Sequence, residues 1–196
     1  PLLKNEDVYV VTDESLSALS YPKIGEKLVP GHAQFHLLQF FLDRPEFDYY
    51  WLVEYDLRFS GNWRVFFDAF SLSRADFITC NVRGYEDAQD WWWWYLRHPR
   101  EFIPPSQRLR SFNTVYRLSR SSLAFLHEAL VSGWCGHHEV MLPTLLYHGG
   151  FIIRDIGGRG KFTPLGMEDR FYTSSPPNRR GVLNSGTMRY RPSLWR

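Results

Sequence analysis

The stretch from Tyr49 to Trp63, YYWLVEYDLRFSGNW, constrains the fold of this chain more than any other. An apolar, aromatic run ends in two carboxylates, Glu54 and Asp56, and a Ser-Gly-Asn turn follows at once. Because side chains alternate between the two faces of a β-strand, a strand over this run places both carboxylates on one face. The pattern therefore predicts a buried strand whose carboxyl end carries two acids.

Two buried carboxylates need a partner, because an isolated buried charge is costly. A hard divalent metal ion is one such partner, since it prefers oxygen ligands. In open α/β sheets, ligands bind at the carboxyl ends of the strands. The alternative is structural, with the strand leaving the core and Glu54 or Asp56 paired to Arg58 or Arg64. Both interpretations stay open at the level of sequence.

Patterns typical of strands and of helices alternate along most of the chain. Besides the run described above, short apolar runs predict strands at residues 7–12, 75–82, 112–118 and 151–156. Apolar residues with helical spacing predict helices at residues 33–42, 63–70, 121–131 and 139–147. This alternation predicts an α/β fold, with a mostly parallel central sheet flanked by helices.

The length and the charge distribution divide the chain into two parts. A length of 196 residues suits one domain with a tail. We predict a domain at residues 1–156 and an irregular, basic segment rich in Gly, Pro and Arg at residues 157–196, which serves as a tail or lid. That segment holds eight of the 23 Lys and Arg residues and two of the 21 Asp and Glu residues. The net charge of +2 is too small to indicate nucleic-acid binding.

Other sequence features narrow the class of protein. Cys80 and Cys135 are the only cysteines, so neither a disulfide framework nor a cysteine-rich metal cluster is expected. No apolar run approaches the roughly 18 residues that a transmembrane helix needs. No signal peptide is visible either. The location of the protein stays open between the cytoplasm and the lumen of the secretory pathway.

The order of the segments resembles a glycosyltransferase of the GT-A type. A strand, DVYVVTDE, leads through a helix, GHAQFHLLQFF, to a strand that ends in a D-x-D-like signature, here Glu54-Tyr55-Asp56. The segments NTVYRLSRSSLAFLHEAL and GHHEVMLPTLLYHGGF follow. The resemblance covers residues 7–156 and implies a GT-A-like fold, a nucleotide-sugar donor and, often, Mn²⁺ or Mg²⁺. The first nucleotide-binding unit that it implies before Asp7 is absent from the sequence.

The resemblance also implies roles for individual residues. Asp56 matches the acid that contacts the metal, and Glu54 matches the acid nearer the donor ribose or sugar. Glu139 matches the acid that serves as general base in inverting members. The signature here begins with Glu instead of Asp, and no histidine follows His148. His148 is therefore the one candidate for a late histidine ligand, and metal dependence stays open.

Basic residues near the end of the predicted domain offer another way to bind the donor. Without a metal, basic side chains must stabilise the leaving diphosphate. Arg154, Arg159 and Lys161 follow or end the last predicted strand, and we predict that they bind phosphate. The alternative is that they are ordinary solvated charges.

Four consecutive tryptophans form the most unusual loop of the sequence. Trp91, Trp92, Trp93 and Trp94 cannot all be buried on one face of a strand or helix. We expect some of them to stack on the acceptor sugar, with Asp90 beside them binding acceptor hydroxyls. The alternatives are a loop wedged against the core and a protein interface.

These observations together predict a glycosyltransferase. It moves a sugar from a nucleotide-sugar donor to a hydroxyl of a carbohydrate or glycoconjugate acceptor, with inversion if Glu139 is the base. Two alternatives remain from the sequence. One is a non-catalytic carbohydrate-binding module that uses the tryptophan loop, and the other is a degenerate transferase domain.

Overall fold

The computed structural model describes residues 8–26, 30–59, 61–172 and 188–190. The α-helices are α1 (Asp13–Ala18), α2 (Gln34–Asp43), α3 (Trp63–Asp68), α4 (Arg120–Ser132) and α5 (His138–His148). The strands are β1 (Tyr49–Val53), β2 (Leu57–Phe59), β3 (Phe77–Gly84), β4 (Leu96–Arg97), β5 (Leu109–Ser119), β6 (Cys135–Gly136), β7 (Ile153–Asp155) and β8 (Met188–Tyr190). The α/β class predicted from the sequence is confirmed.

A four-stranded mixed sheet, in the order β1-β5-β3-β7, forms the centre of the fold. Strand β5 runs antiparallel to both of its neighbours, and only β3 and β7 pair in parallel. The prediction of a mostly parallel sheet was therefore wrong. Parallel neighbours need a long crossover, usually a helix, whereas the connection from β3 to β5 contains only short 3₁₀ turns and β4, and it returns the chain in the opposite direction.

The strand directions turn the carboxyl ends of three strands toward one edge of the sheet. Since β1 and β3 both oppose β5, and β7 is parallel to β3, the strands β1, β3 and β7 run the same way. Their carboxyl ends therefore point toward the same edge as the amino-terminal end of β5, although β1 ends opposite Val115 and only β3 ends opposite Leu109. The acidic turn after β1 lies at this edge.

Apolar side chains cover both faces of the sheet. On one face, helices α1, α2, α4 and α5 contribute to a large core with residues such as Leu38, Leu126 and Met141. On the other face, α3 and the segment after β7 form a second core that includes Phe66, Phe171 and Tyr172. The sheet is therefore packed between two apolar layers.

Local signals explain where α4 begins and ends. The Ser119 side chain accepts a hydrogen bond from the backbone N–H of Ser122, so the cap lies slightly before the predicted Ser121 or Ser122. Gly133 adopts a left-handed conformation with φ of 118°, which ends the helix at the predicted place. The chain then turns through β6 directly into α5, whose amino-terminal end lies beside β5.

The predicted strand at residues 7–12 is wrong for residues 8–12, which form no strand. Thr12 instead caps α1, because its side chain accepts the N–H of Ser15 while the Ser15 hydroxyl accepts the N–H of Thr12. Val8 and Val10 remain exposed. Tyr9 and Val11, at the alternate positions, are partly buried, but no strand lies beside the segment and the helix cap determines the local structure.

Part of the predicted tail belongs to the core of the fold. Residues 157–172 continue from β7, and Phe171 and Tyr172 are buried against the sheet. Strand β8 pairs antiparallel with β2. The rest of the predicted tail, residues 173–187 and 191–196, lies outside the described residues. No helix in the described part of the chain is long and apolar enough to cross a membrane.

Candidate functional site

A tight turn presents the two carboxylates that follow β1. The N–H of Glu54 still donates to the carbonyl of Thr114 at 2.9 Å, and the Glu54 carbonyl accepts the N–H of Leu57 at 3.1 Å. Tyr55 and Asp56 occupy the turn between them. The prediction that one strand carries both carboxylates was therefore wrong, because β1 ends at Val53.

The surroundings of the Glu54 carboxyl disfavour its ionised form. Burial, and then the charges of Asp56 and Glu139, raise its pKa to about 7. The two carboxyls are thus close enough to interact because of the turn, and not because they alternate along one strand. The effect of Glu139 is more informative, since that residue lies on a different element, α5.

Glu139 lies in the first turn of α5 and faces β5. The backbone N–H of Asn113 donates to its Oε1 at 3.3 Å, and its side chain is 14% exposed. Burial raises the pKa of this carboxyl to about 7, although the Arg110 charge and the Asn113 hydrogen bond both lower it. Two carboxyls that are distant in sequence therefore share one site, and each retains its proton to an unusually high pH.

His137 caps α5 immediately before this acid. Its Nδ1 accepts the backbone N–H of Glu139 at 3.3 Å, so the neutral ring carries its proton on Nε2. Burial, and then the nearby His32, lower the pKa of His137 to about 4. Although Nδ1 lies 3.8 Å from the Glu139 carboxylate, the ring is neutral at pH 7 and does not compensate that charge.

The tryptophan loop lies against His137, but its four rings have different environments. Trp93 stacks on the His137 ring at a centroid distance of 5.1 Å, and Trp91 meets it edge-on at 6.1 Å. Trp92 is 83% exposed. Trp94 is buried, with its Nε1 donating to the Ala88 carbonyl at 2.8 Å. Trp91 and Trp93 therefore frame the site, whereas Trp94 belongs to the core.

Asn113 connects three elements around the site. Its Nδ2 donates to the carbonyl of His138 at 3.1 Å, and its Oδ1 accepts from the hydroxyls of Thr79 at 2.8 Å and Ser111 at 2.6 Å. These bonds hold β5 to α5 and to β3. The position of Glu139 is thus fixed by a polar network that the sequence did not indicate.

Two arginines at the same edge were also missed. Arg83 on β3 and Arg110 on β5 are direct partners in the strand register. The guanidinium carbon of Arg110 lies 4.9 Å from the Trp91 ring centroid. Asp90 lies close enough for its charge to act on Arg110. The available signal was an arginine inside a mostly uncharged strand pattern, but the pairing of two such residues depends on register.

The predicted phosphate-binding residues have other surroundings. The Arg159 side chain forms an ion pair with Asp169 at 2.5 Å. Lys161 lies over the rings of Tyr147 and Phe162. Arg154 is an exposed residue of β7. Their assignment as phosphate ligands stays a prediction.

His148 lies at the far end of α5 from Glu139. The two are nine positions apart in one helix, a separation of about 13 Å at ~1.5 Å per residue. The Nε2 of His148 lies 3.0 Å from the Gln107 carbonyl. The structure therefore does not bring His148 to the turn that carries Glu54 and Asp56.

The alternative for the acidic turn was pairing of its carboxylates with Arg58 or Arg64, and both arginines have other partners. Arg64 pairs with Asp68 on the surface of α3, with 3.7 Å between the charged atoms. Arg58 donates to the carbonyl of Tyr55 at 3.2 Å. Among the described residues, neither arginine forms an ion pair with Glu54 or Asp56.

The side chains present do not form a metal site on their own. Within the described ranges, no group of three or more His, Cys, Asp or Glu residues is arranged to hold a metal ion. Mg²⁺ is often bound through one or two carboxylates, with phosphate and water oxygens completing its coordination. The Glu54–Asp56 turn fits that limited role and does not fit a cage made of protein ligands alone.

Comparison with known proteins adds one family match. Residues 5–73 match a family described as "Protein of unknown function (DUF3405)". The matched region includes α1 to α3 and the turn with Glu54 and Asp56, but not Glu139. No curated protein and no solved structure matches the chain.

Proposed function

We propose that the protein is a glycosyltransferase of the GT-A type. It transfers a sugar from a nucleotide-sugar donor to a hydroxyl of a carbohydrate or glycoconjugate acceptor. One observation carries the proposal: the acidic turn after β1 and the acid of α5 converge at one sheet edge, where Glu54 senses the charges of both Asp56 and Glu139. The aromatic loop lies beside them.

Glu54 and Asp56 form the donor side. They bind the nucleotide-sugar either through its hydroxyl groups or through Mn²⁺ or Mg²⁺ that the diphosphate carries. When bound, such an ion neutralises the charge that develops on the leaving nucleoside diphosphate. The raised pKa of Glu54 supports this role, since a carboxyl under strain from its neighbours gains from an incoming hydroxyl donor or cation.

Glu139 acts as the general base. Its carboxylate takes the proton of the acceptor hydroxyl while that oxygen attacks the anomeric carbon, and the bond from this carbon to the diphosphate breaks. A base with a pKa near 7 combines a large deprotonated fraction at neutral pH with strong proton affinity. Attack from the face opposite the leaving group inverts the anomeric configuration.

The tryptophan loop forms the acceptor side. Trp91 and Trp93 already contact His137, the residue before the helix that carries the base. Their flat faces suit the apolar face of a sugar ring. Asp90, immediately before the loop, binds acceptor hydroxyls. This arrangement supports an acceptor bound between the loop and Glu139.

A carbohydrate-binding module is the second candidate, and one observation favours it. Trp92 and Trp93 are substantially exposed, at 83% and 44%, and form a tilted pair at a centroid distance of 6.5 Å. Exposed aromatic rings suit sugar stacking without any chemistry. This candidate requires neither a nucleotide nor the carboxyl groups, so nucleotide binding separates the two functions.

The proposal is tested by calorimetry and thermal shift with a panel of nucleoside diphosphates, with and without Mn²⁺. We expect one nucleotide to bind and Asp56→Ala to weaken its binding by about tenfold or more, as for the loss of a charge-assisted contact. The matched control is Asp68→Ala, which removes an exposed acid of α3 and should leave binding unchanged. If no nucleotide binds the wild-type protein, the transferase is excluded, and sugar binding alone would favour the module.

A further inference from the structure

Two arginines oppose each other directly at the edge of the site. Arg83 and Arg110 are partners in the antiparallel register of β3 and β5. Directly opposed residues point to the same face, with Cβ atoms about 5 Å apart. Like charges in this position destabilise a sheet. A pair of this kind at a ligand-binding edge therefore suggests a negatively charged ligand.

Arg110 also has an unsatisfied hydrogen-bond donor. Its side chain is only 6% exposed, and its Nε is buried without a hydrogen-bond partner among the described residues. Buried polar atoms nearly always have a partner, and an unsatisfied one costs about 1–3 kcal/mol. The Trp91 ring packs against the guanidinium, and a ring cannot accept the Nε–H as an oxygen does.

The acids nearby reduce the positive charge without supplying that bond. The charges of Glu139 and Asp90 both act on Arg110, favouring its protonated form against the effect of burial. The charge of Arg83 acts in the opposite sense. The pKa of Glu139 is about 7. Below that pH its carboxyl is mostly neutral and compensates little of the positive charge of Arg110.

Arg83 is partly exposed and firmly placed. Its Nη1 donates to the carbonyl of Arg159 at 2.8 Å, which joins β3 to the segment after β7. This bond fixes the Arg83 guanidinium against the segment after β7, and its charge still acts on Arg110. A guanidinium has five N–H donors in a planar fork that matches the oxygens of carboxylate or phosphate.

We propose that Arg83 and Arg110 form a subsite for an oxyanion, a carboxylate or phosphate, carried by the acceptor. The acceptor class would then be an acidic sugar or a sugar phosphate. The assignment of the subsite to the acceptor rests on the proposed function, whereas the oxyanion subsite itself does not. Its position favours the acceptor over the donor diphosphate, because Arg110 contacts Trp91 and lies within electrostatic reach of Glu139.

The test is calorimetric titration with glucuronate, glucose 6-phosphate, uncharged glucose and pyrophosphate, without nucleotide or metal. We expect a sugar acid or sugar phosphate to bind at least tenfold more tightly than glucose. Arg110→Gln should weaken this binding about tenfold or more, and Arg110→Lys should restore only part of it. The control is Arg74→Gln, which changes an exposed arginine outside the site.

Each outcome decides one part of the proposal. If only pyrophosphate binds in an Arg110-dependent manner, the oxyanion subsite stands and the acidic acceptor is overturned. If no oxyanion binds, or if binding is unchanged in both arginine variants, the subsite is overturned. Should Arg110→Gln fail to fold by circular dichroism, Arg83→Gln carries the test, because Arg83 is less buried.

The same titrations separate this proposal from the transferase. Oxyanion binding that depends on Arg110, together with no binding of any nucleoside diphosphate, would retain the subsite and exclude the transferase. Nucleotide binding that depends on Asp56, together with no oxyanion binding, would retain the transferase and exclude the subsite.

Discussion

Two buried carboxyls at the same region of the sheet differ in how completely they are hydrogen-bonded. Asp155, at the end of β7, accepts the N–H groups of Val82 at 3.1 Å, Gly157 at 3.0 Å and Gly158 at 2.8 Å. The Tyr172 hydroxyl donates to it as well, at 2.8 Å. Glu139 has one backbone hydrogen bond, from the N–H of Asn113 at 3.3 Å.

The difference separates an acid with a structural role from the acid that we propose as the base. The donors to Asp155 come from β3, the loop after β7 and the segment that ends at Tyr172, so this carboxyl holds three parts of the fold together. Burial still raises its pKa, although all four donors lower it. Glu139 keeps acceptor capacity and a little solvent access. A buried acid with unused capacity is a candidate for binding or proton transfer.

The largest effect should come from removing the base. Glu139→Gln keeps the size of the side chain but cannot take a proton, so we expect sugar transfer to fall by about 10²–10⁴-fold. Nucleotide binding should remain, because the donor side is formed by Glu54 and Asp56. The measurement is the initial rate with the nucleotide-sugar that the diphosphate panel identifies. Glu128→Gln, on the exposed side of α4, is the control, and full activity in Glu139→Gln would remove the base from the mechanism.

Replacing Asp155 should lower stability, in contrast to the effect on activity expected at Glu139. In Asp155→Asn an amide replaces a carboxylate oxygen and faces N–H donors, so we expect a loss of about 3 kcal/mol or more in the free energy of unfolding. Urea denaturation followed by circular dichroism measures this loss. Tyr172→Phe removes one donor to Asp155 and also the acceptor of the buried N–H of Asn81, so it should cost about 1–3 kcal/mol. An Asn variant as stable as the wild type would contradict the structural role of Asp155.

Local patterns in the sequence predicted most of the elements, but not how the strands pair. Helices α2, α4 and α5 have apolar spacing and clear ends, and they lie close to the predicted ranges. The direction and position of β5 were not predictable, because they depend on which strands it meets in three dimensions. The segment at residues 8–12 has the alternation of a strand but no strand beside it, and the Thr12 cap decides its structure.

The site shows the same limit. The structure brings Glu54 within electrostatic reach of both Asp56 and Glu139, and their assignment to one site stays a prediction. Arg83 and Arg110 were missed, since only the register of β3 and β5 makes them neighbours. A run of four tryptophans likewise cannot indicate that one ring, Trp94, is core while another is 83% exposed.

The last prediction is a pH dependence of stability that distinguishes Glu139 from the other buried groups. Its pKa is about 7 in the folded protein and 4.5 ordinarily. Between these values the folded protein holds a proton that the unfolded chain releases, so stability from this group falls as pH rises through that window. Glu139→Gln should therefore match the wild type most closely near pH 4.5, apart from a constant offset, and gain about 2–3 kcal/mol relative to it by pH 8.

The comparison with the variant is needed because His137 and His138 act in the opposite sense. Burial lowers the pKa of both, so their contribution to stability rises with pH until they are neutral in the unfolded chain as well. Both histidines are present in wild type and variant, and their effects largely cancel in the difference. The charge of Glu139 also raises the pKa of Glu54. Removing that charge should lower the pKa of Glu54 and add to the gain at pH 8, whereas a difference that does not change with pH would show that Glu139 ionises normally in the folded state.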